Sequence, residues 1–273
     1  MAVISVQEKG RKLFMFKLIH PIPAFQDNYI WAIVSADENA FAVVDPGDPG
    51  PVLEFAKTHN LMLTHILVTH HHPDHTGGLV SLAEKYQPII FGPRPSNIKG
   101  ITDFVAEGDN IELFGARFSV LEVPGHTLDH IAYFSNDTAP PTLFCGDTLF
   151  AAGCGRLFEG TPAMMFESLA KLTALASNTA VYCTHEYTMA NLKFAAAADG
   201  QNPALQSRVA AEQAKRDQAQ PTLPSTIGLE LATNPFVRCD DGEIIKRLKN
   251  QNSTALDSSV DVFAALRAWK DNF

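Results

Sequence analysis

The sequence is short of several things, and each shortage removes a class of function. It has four cysteines, Cys145, Cys154, Cys183 and Cys239, with no CxxC pair among them. A disulfide scaffold or a cysteine-built zinc site is therefore not expected, and the thiols read as reduced and mostly buried, as in a cytoplasmic protein. No apolar run is long enough to cross a bilayer, and the N-terminal stretch carries Glu8 and Lys17, which makes a poor secretory signal. Basic residues are also scarce. Lys and Arg number 21 against 30 Asp and Glu, for a formal net charge of -9. That balance argues against nucleic acid or an anionic membrane as a general partner. No G-x-S-x-G elbow is present, so a serine hydrolase of that type is excluded. There is no internal repeat and no low-complexity tract.

The 273 residues are 46% hydrophobic, enough for a sizeable core. Over the first two thirds, short β-rich runs alternate with helical ones. "YIWAIVS" and "FAVVD" read as paired strands. "HILVTH", "PIIFGP", "HIAYFS", "TLFCGD" and "AVYC" read as further strands, and "IELFGARFSVLEVPG" as two strands across a glycine turn. "VLEFAKTHN", "GGLVSLAEKY" and "MMFESLAKLTALAS" read as helices. Beyond about residue 187 the pattern becomes helical, in "NLKFAAAA", "PALQSRVAAEQAKRDQAQ" and "DSSVDVFAALRAWKDNF", the last with a Ser or Asp cap. The expected organisation is an extension over residues 1–14, with Met15 as the alternative start, then a mixed α/β domain over 15–186 and a small helical domain over 187–273.

What stands out is "THHHPDH" at 69–75. A core does not absorb that many polar rings without partners. Each later candidate also follows an apolar β run: His126 in "VPGHT", Asp147 in "FCGDT" and His185 in "YCTHEY". Strand-end loops on a rigid sheet are where sites gather. His70, His72, Asp74, His75, His126, Asp147 and His185 exceed what one tetrahedral zinc needs, and suit two ions sharing a carboxylate. His70 and His72, two apart, converge if the loop is extended, leaving Asp74 and His75 for the second ion. His20, His59 and His65 read as surface or packing residues. His71 is expected to point away, and His130 reads either as a residue supporting the ligands or as a bystander.

These motifs resemble the metallo-β-lactamase superfamily, whose THxHxDH signature "THHHPDH" fits. With "QDNY" at 26–29, "DPGD" at 45–48, "CGDTLFAAGCGRLFEGTP" at 145–162, "PSTIGLELATNPF" at 224–236 and "LRAWKDNF" at 266–273, the chain resembles the glyoxalase II (hydroxyacylglutathione hydrolase) family. The resemblance runs from about Met15 to Phe273. It implies an αββα sandwich with a C-terminal α-helical domain that completes the substrate site. It implies two divalent metal ions, zinc first and iron or manganese as alternatives. One would be held by His70, His72 and His126, the other by Asp74, His75 and His185, with Asp147 bridging; Asp74 and Asp147 would also serve catalysis.

The resemblance further implies glutathione contacts from Arg156, Tyr187, Arg267 and Lys270. Phe158 stands where some relatives carry a tyrosine, which removes a hydroxyl. The implied reaction is hydrolysis of S-D-lactoylglutathione to D-lactate and glutathione, the second step of methylglyoxal detoxification. The implied partner is this small thioester alone, bound by a cytoplasmic monomer. The alternatives are a lactone, β-lactam or phosphodiester hydrolase, a single-iron persulfide dioxygenase, or a non-enzymatic metal-binding protein. Without the resemblance, Arg267 and Lys270 would read as the solvated face of a helix.

Overall fold

The run "NYIWAIVS" is apolar on both faces of a strand, which requires cover on both sides. In the computed structural model, which describes residues 16–36, 39–94, 97–250 and 256–273, it has that cover. The expected extension over 1–14 lies outside the described residues. Tyr29, Trp31 and Ile33 face a central core between two sheets, whereas Ile30 and Ala32 face a second core under helices. The strand's alternation thus feeds two hydrophobic layers at once.

The first sheet runs in the order β1 (Phe16–Ala24), β2 (Asn28–Ser35), β3 (Ala40–Val44), β4 (Met62–Leu67), β5 (Ile89–Pro93), β6 (Asp103–Val105). The hairpin expected of "YIWAIVS" and "FAVVD" is the antiparallel pair β2–β3. From β3 to β6 the sheet is parallel. Helices α1 (Pro49–His59) and α3 (Leu79–Tyr86) make the crossovers and bury Val52, Ala56, Leu79 and Leu82 on the outer face. Between them, Pro73–Thr76 forms a single turn, α2. Asp48 caps α1 by accepting from the Gly50 N–H, and Asn60 ends it in the left-handed region.

The second sheet contains β7 (Asn110–Leu113), β8 (Ala116–Glu122), β9 (Ile131–Ser135), β10 (Thr142–Gly146), β13 (Ala180–Cys183) and β14 (Ser225–Thr226), adjacent in the order 14-13-10-9-8-7. A small ribbon, β11 (Leu149–Phe150) and β12 (Gly153–Cys154), follows β10, and α4 (Pro162–Thr173) precedes β13. The chain ends in α5 (Thr188–Asp199), α6 (Pro203–Asp217), α7 (Ile227–Thr233), α8 (Gly242–Lys249) and α9 (Ser259–Asp271). Met165 of α4 and Phe194, Ile244 and Phe263 of these helices join the central core. The fold is the αββα sandwich with C-terminal helices.

Several elements were not anticipated, β1, β6 and α8 among them. β1 contains Pro21 and Pro23 and pairs with β2 alone, and an edge strand tolerates missing N–H groups. β6 is too short to show a period. In α8, "GEIIKRLK" buries only Ile244 and Leu248, a stripe of two residues. His20 lies near Phe55 and His59, and His65 lies against Phe91 and Phe114, so His20 and His65 are packing residues and His59 is an exposed one beside them.

Candidate metal centre

The seven candidate ligands come from loops at the C-terminal ends of β4, β8, β10 and β13, which meet along one edge where the two sheets are stitched together. Tyr133 of the second sheet donates its hydroxyl to Val68 O at 2.9 Å, and the Ile131 N–H reaches Thr69 O at 2.9 Å. Trp31 Nε1 donates to Cys183 O at 2.9 Å. The loop after β4 and those after β8, β10 and β13 are thereby held in register. Gly146 adopts φ +48°, and a Cβ there would lie 2.4 Å from Thr69 Oγ1. Only glycine permits this approach.

His70, His72 and His126 bring one ligand atom each to within 4.8 Å of one another, and Asp74, His75 and His185 do the same. His70, His75 and Asp147 form a third such group, which places the Asp147 carboxylate between the other two. Asp147 Oδ2 lies 3.4 Å from His126 Nε2 and 3.3 Å from His185 Nε2, and its Oδ1 lies 3.6 Å from His75 Nε2. Asp74 Oδ2 is 3.4 Å from His75 Nε2 and 3.5 Å from His185 Nε2. His126 Nε2 faces His72 Nδ1 at 3.1 Å. His70 Nε2, His75 Nε2 and Asp147 Oδ1 are buried without a hydrogen-bond partner. Orphaned buried atoms of this kind call for an occupant, and the donor set, imidazole nitrogen with carboxylate oxygen, suits a divalent transition metal.

The far nitrogens of four rings are each engaged by an oxygen. His75 Nδ1 lies 3.0 Å from Asp45 Oδ2, His185 Nδ1 lies 2.9 Å from Asp27 Oδ1, and His126 Nδ1 lies 2.8 Å from Arg156 O. His70 Nδ1 lies 3.0 Å from Thr69 Oγ1, whose own hydroxyl donates to Asp45 Oδ2 at 2.8 Å. Carboxylates and carbonyls only accept, so each such Nδ1 carries a proton, and in the neutral ring Nε2 is the nitrogen left with a lone pair facing inward. Asn28 Nδ2 in turn holds Asp74 Oδ2 at 3.1 Å. Asp45 sits at φ +53°, rare for aspartate, and is kept there by Thr69, whose N–H it accepts at 2.8 Å.

Sequence reasoning gave Asp27, Asn28 and Asp45 no role, although "QDNY" and "DPGD" were conspicuous. His130 is buried, stacks 4.5 Å from His70, and accepts the Asp147 N–H on Nε2 at 3.0 Å. It therefore supports two candidate ligands. His71 points away from the cage to Asp129 at 2.9 Å.

Electrostatics divide the cage. Burial lowers the pKa of His70, His72 and His126. Burial opposes charge on His75 too, but Asp147 and Asp45 outweigh it and raise its pKa well above the ordinary value. For Asp147, burial is outweighed by His75 and His185, so the carboxyl stays ionised far below its usual range.

Beside the cage lies a cavity of about 640 Å³ lined by Phe150, Cys154, Arg156, Phe158, Tyr187 and Lys270, among others. The Tyr187 ring stacks on His185, 4.6 Å away and 3° from parallel, and burial pushes its hydroxyl up to about 12. Phe158 packs edge-on against His126 and His72. Burial, then Arg267, pushes Lys270 down to about 8. Arg267 is buried rather than on a solvated face. Its Nη1 donates to Cys154 O at 3.0 Å and its Nη2 to Asp271 Oδ1 at 2.9 Å.

Residues 25–185 match the Metallo-beta-lactamase superfamily, and residues 186–273 match Hydroxyacylglutathione hydrolase C-terminus. The chain is 50% identical to the hydroxyacylglutathione hydrolase of Chromohalobacter salexigens, over 93% of this chain and 98% of that one. It is 50% identical to that of Photobacterium profundum, over 93% and 99%. Among solved structures, ETHE1 from Myxococcus xanthus superposes with a TM-score of 0.63 at 24% identity, over 93% of this chain and all of that one, a likeness of fold. Two matched segments that together run from residue 25 to the last residue, and relatives half identical over nearly their whole length, place this chain in the hydroxyacylglutathione hydrolase family of the metallo-β-lactamase superfamily.

Proposed function

We propose that this protein hydrolyses the thioester of 2-hydroxyacylglutathiones, converting S-D-lactoylglutathione to D-lactate and glutathione. The observation that carries the reading is the cage itself, with buried, partnerless His70 Nε2, His75 Nε2 and Asp147 Oδ1 opening onto a pocket that carries Arg156 and Lys270. The relatives' shared name supplies the substrate class.

His70, His72 and His126 would hold one divalent cation, and Asp74, His75 and His185 the other, with Asp147 between them. When bound, such a pair supplies an acidified water and an electrophile for a carbonyl. Nitrogen and carboxylate donors suit zinc, and also iron or manganese. The residues do the rest. Asp147 stays an anion across the working pH range. Asp27, Asp45 and Arg156 O keep the Nε2 lone pairs aimed inward. Tyr187, protonated up to about 12, has a hydroxyl to donate to a bound peptide. Lys270, mostly charged at neutral pH, and Arg156 attract the carboxylates of the tripeptide. The leaving thiol has a solution pKa of about 8.5, so departure as thiolate needs little acid.

In this reading residues 15–186 are the catalytic domain and 187–273 the helical substrate-binding domain of a monomer. No helix among the described residues is long and apolar enough to cross a membrane. The four free, buried cysteines support a cytoplasmic setting. The test is thiol release from S-D-lactoylglutathione by purified protein, with elemental analysis of the same sample. Turnover that disappears on chelation is expected. Metal-loaded protein that leaves the thioester intact would sink the proposal.

A further inference from the structure

The turn joining β11 to β12 forms one side of the pocket, and its main chain is gripped by side chains from the C-terminal helices and the segments between them. Glu230 Oε2 accepts the Ala152 N–H at 2.8 Å. Asn234 Nδ2 donates to Gly153 O at 2.9 Å and to Glu230 Oε2 at 3.0 Å. Asn191 Nδ2 donates to Ala151 O at 3.0 Å, and Arg267 Nη1 holds Cys154 O. Ala152 sits at φ +56°, a conformation alanine seldom adopts unless its surroundings impose it.

The centre of the grip is a buried ion pair. Arg208 Nη2 lies 2.7 Å from Glu230 Oε1, which also accepts from Ser225 Oγ. Arg208 Nη1 donates to Thr233 Oγ1 at 2.7 Å. Buried pairs add little net stability, because desolvation offsets the attraction. What this one does is fix the second Glu230 oxygen on the turn. On the pocket side, the same turn presents Phe150, edge-on to His185 at 5.8 Å and to Tyr187 at 5.5 Å. The cage end of the segment is anchored separately, through the Asp147 N–H on His130.

We propose that Glu230, locked by Arg208, is a positioning residue that holds the 150–154 turn, and with it Phe150, as the wall against which the tripeptide of the thioester binds. The inference rests on the thioesterase reading above. Because Asp147 has its own anchor on His130, loosening the grip acts first on Phe150 and on substrate binding rather than on the carboxylate at the centre of the cage.

The test uses two variants. E230Q keeps an acceptor for Ala152 but leaves Arg208 without its counter-charge; N191A removes one grip at the rim of the network. KM for S-D-lactoylglutathione should rise about tenfold in E230Q and about threefold in N191A, with kcat within about twofold and metal content unchanged. Turnover of a small thioester lacking the tripeptide should be unaffected. If E230Q does not fold, N191A decides alone. An unchanged KM in N191A, or kcat and metal content falling together at constant KM, overturns the positioning role. Wild-type protein that hydrolyses neither thioester overturns this inference together with the function. Wild-type protein that is active, with variants of normal KM, overturns this inference only.

Discussion

His70, His75 and His126 are buried and each turns one ring nitrogen toward a protein oxygen, whereas Phe158, its ring centre 5.2 Å from that of His126, is 63% exposed, and the Arg156 side chain is 68% exposed. The cage is over-determined: nearly every candidate ligand has a second residue fixing its angle, and both sheets contribute. The pocket rim is held more loosely, with Arg156 and Phe158 projecting toward solvent, although the 150–154 turn behind it is gripped by Glu230, Asn234, Asn191 and Arg267. The contrast teaches that reaction type and substrate choice are held by different physical means. Rigid polar packing holds the first, and charge with apolar surface at a cavity rim holds the second. Damage to the cage should therefore appear in kcat and metal content, and damage to the wall in KM.

The largest effect should come from Asp147→Asn. It keeps the shape of the bridge and removes its charge, and should cut kcat by more than about a hundredfold, with metal lost as read by elemental analysis. A normal kcat would break the division at its centre. Next is Asp27→Ala, which frees His185 to rotate and should lower metal affinity or kcat by roughly ten- to a hundredfold, measured by competition with a chelator.

On the wall, Lys270→Ala should raise KM about tenfold with kcat nearly constant. Its pH signature follows from the lowered pKa. Lys270 is charged below about 8 and neutral above, while substrate carboxylates stay ionised throughout, so KM should climb as pH passes upward through about 8. Lys270→Gln should flatten that climb, and a climb that persists in Lys270→Gln would assign it elsewhere. The smallest effect is Phe158→Tyr, which offers a hydroxyl at the pocket mouth and should lower KM about twofold.

Much of this was readable in advance, for a physical reason. Metal chemistry needs particular side chains, and those side chains cannot lie idle in a core, so "THHHPDH", His126, Asp147 and His185 stand out wherever a strand ends. Strands buried on both faces also announce themselves, as "YIWAIV" does. The supporting residues were silent because nothing in a lone Asp27 or Asp45 says which histidine it will meet. The Asp27–His185 contact joins residues 158 positions apart. Arg267 shows a different limit. Its spacing from Lys270 fits a solvated face and a substrate-facing one alike, and its guanidinium in fact lies 5.0 Å from the Phe236 ring and grips Cys154 O. Helical spacing tells which residues are neighbours but not which of them the tertiary structure encloses.

The stitching of the two sheets through Tyr133, Ile131 and Trp31 has one more consequence. A cation pair seated there would act as a rivet through both halves of the sandwich, since its ligands come from each. Loading the protein would then raise the temperature at which the whole molecule melts, by mass action on the native state alone, and thermal resistance would become a gauge of occupancy.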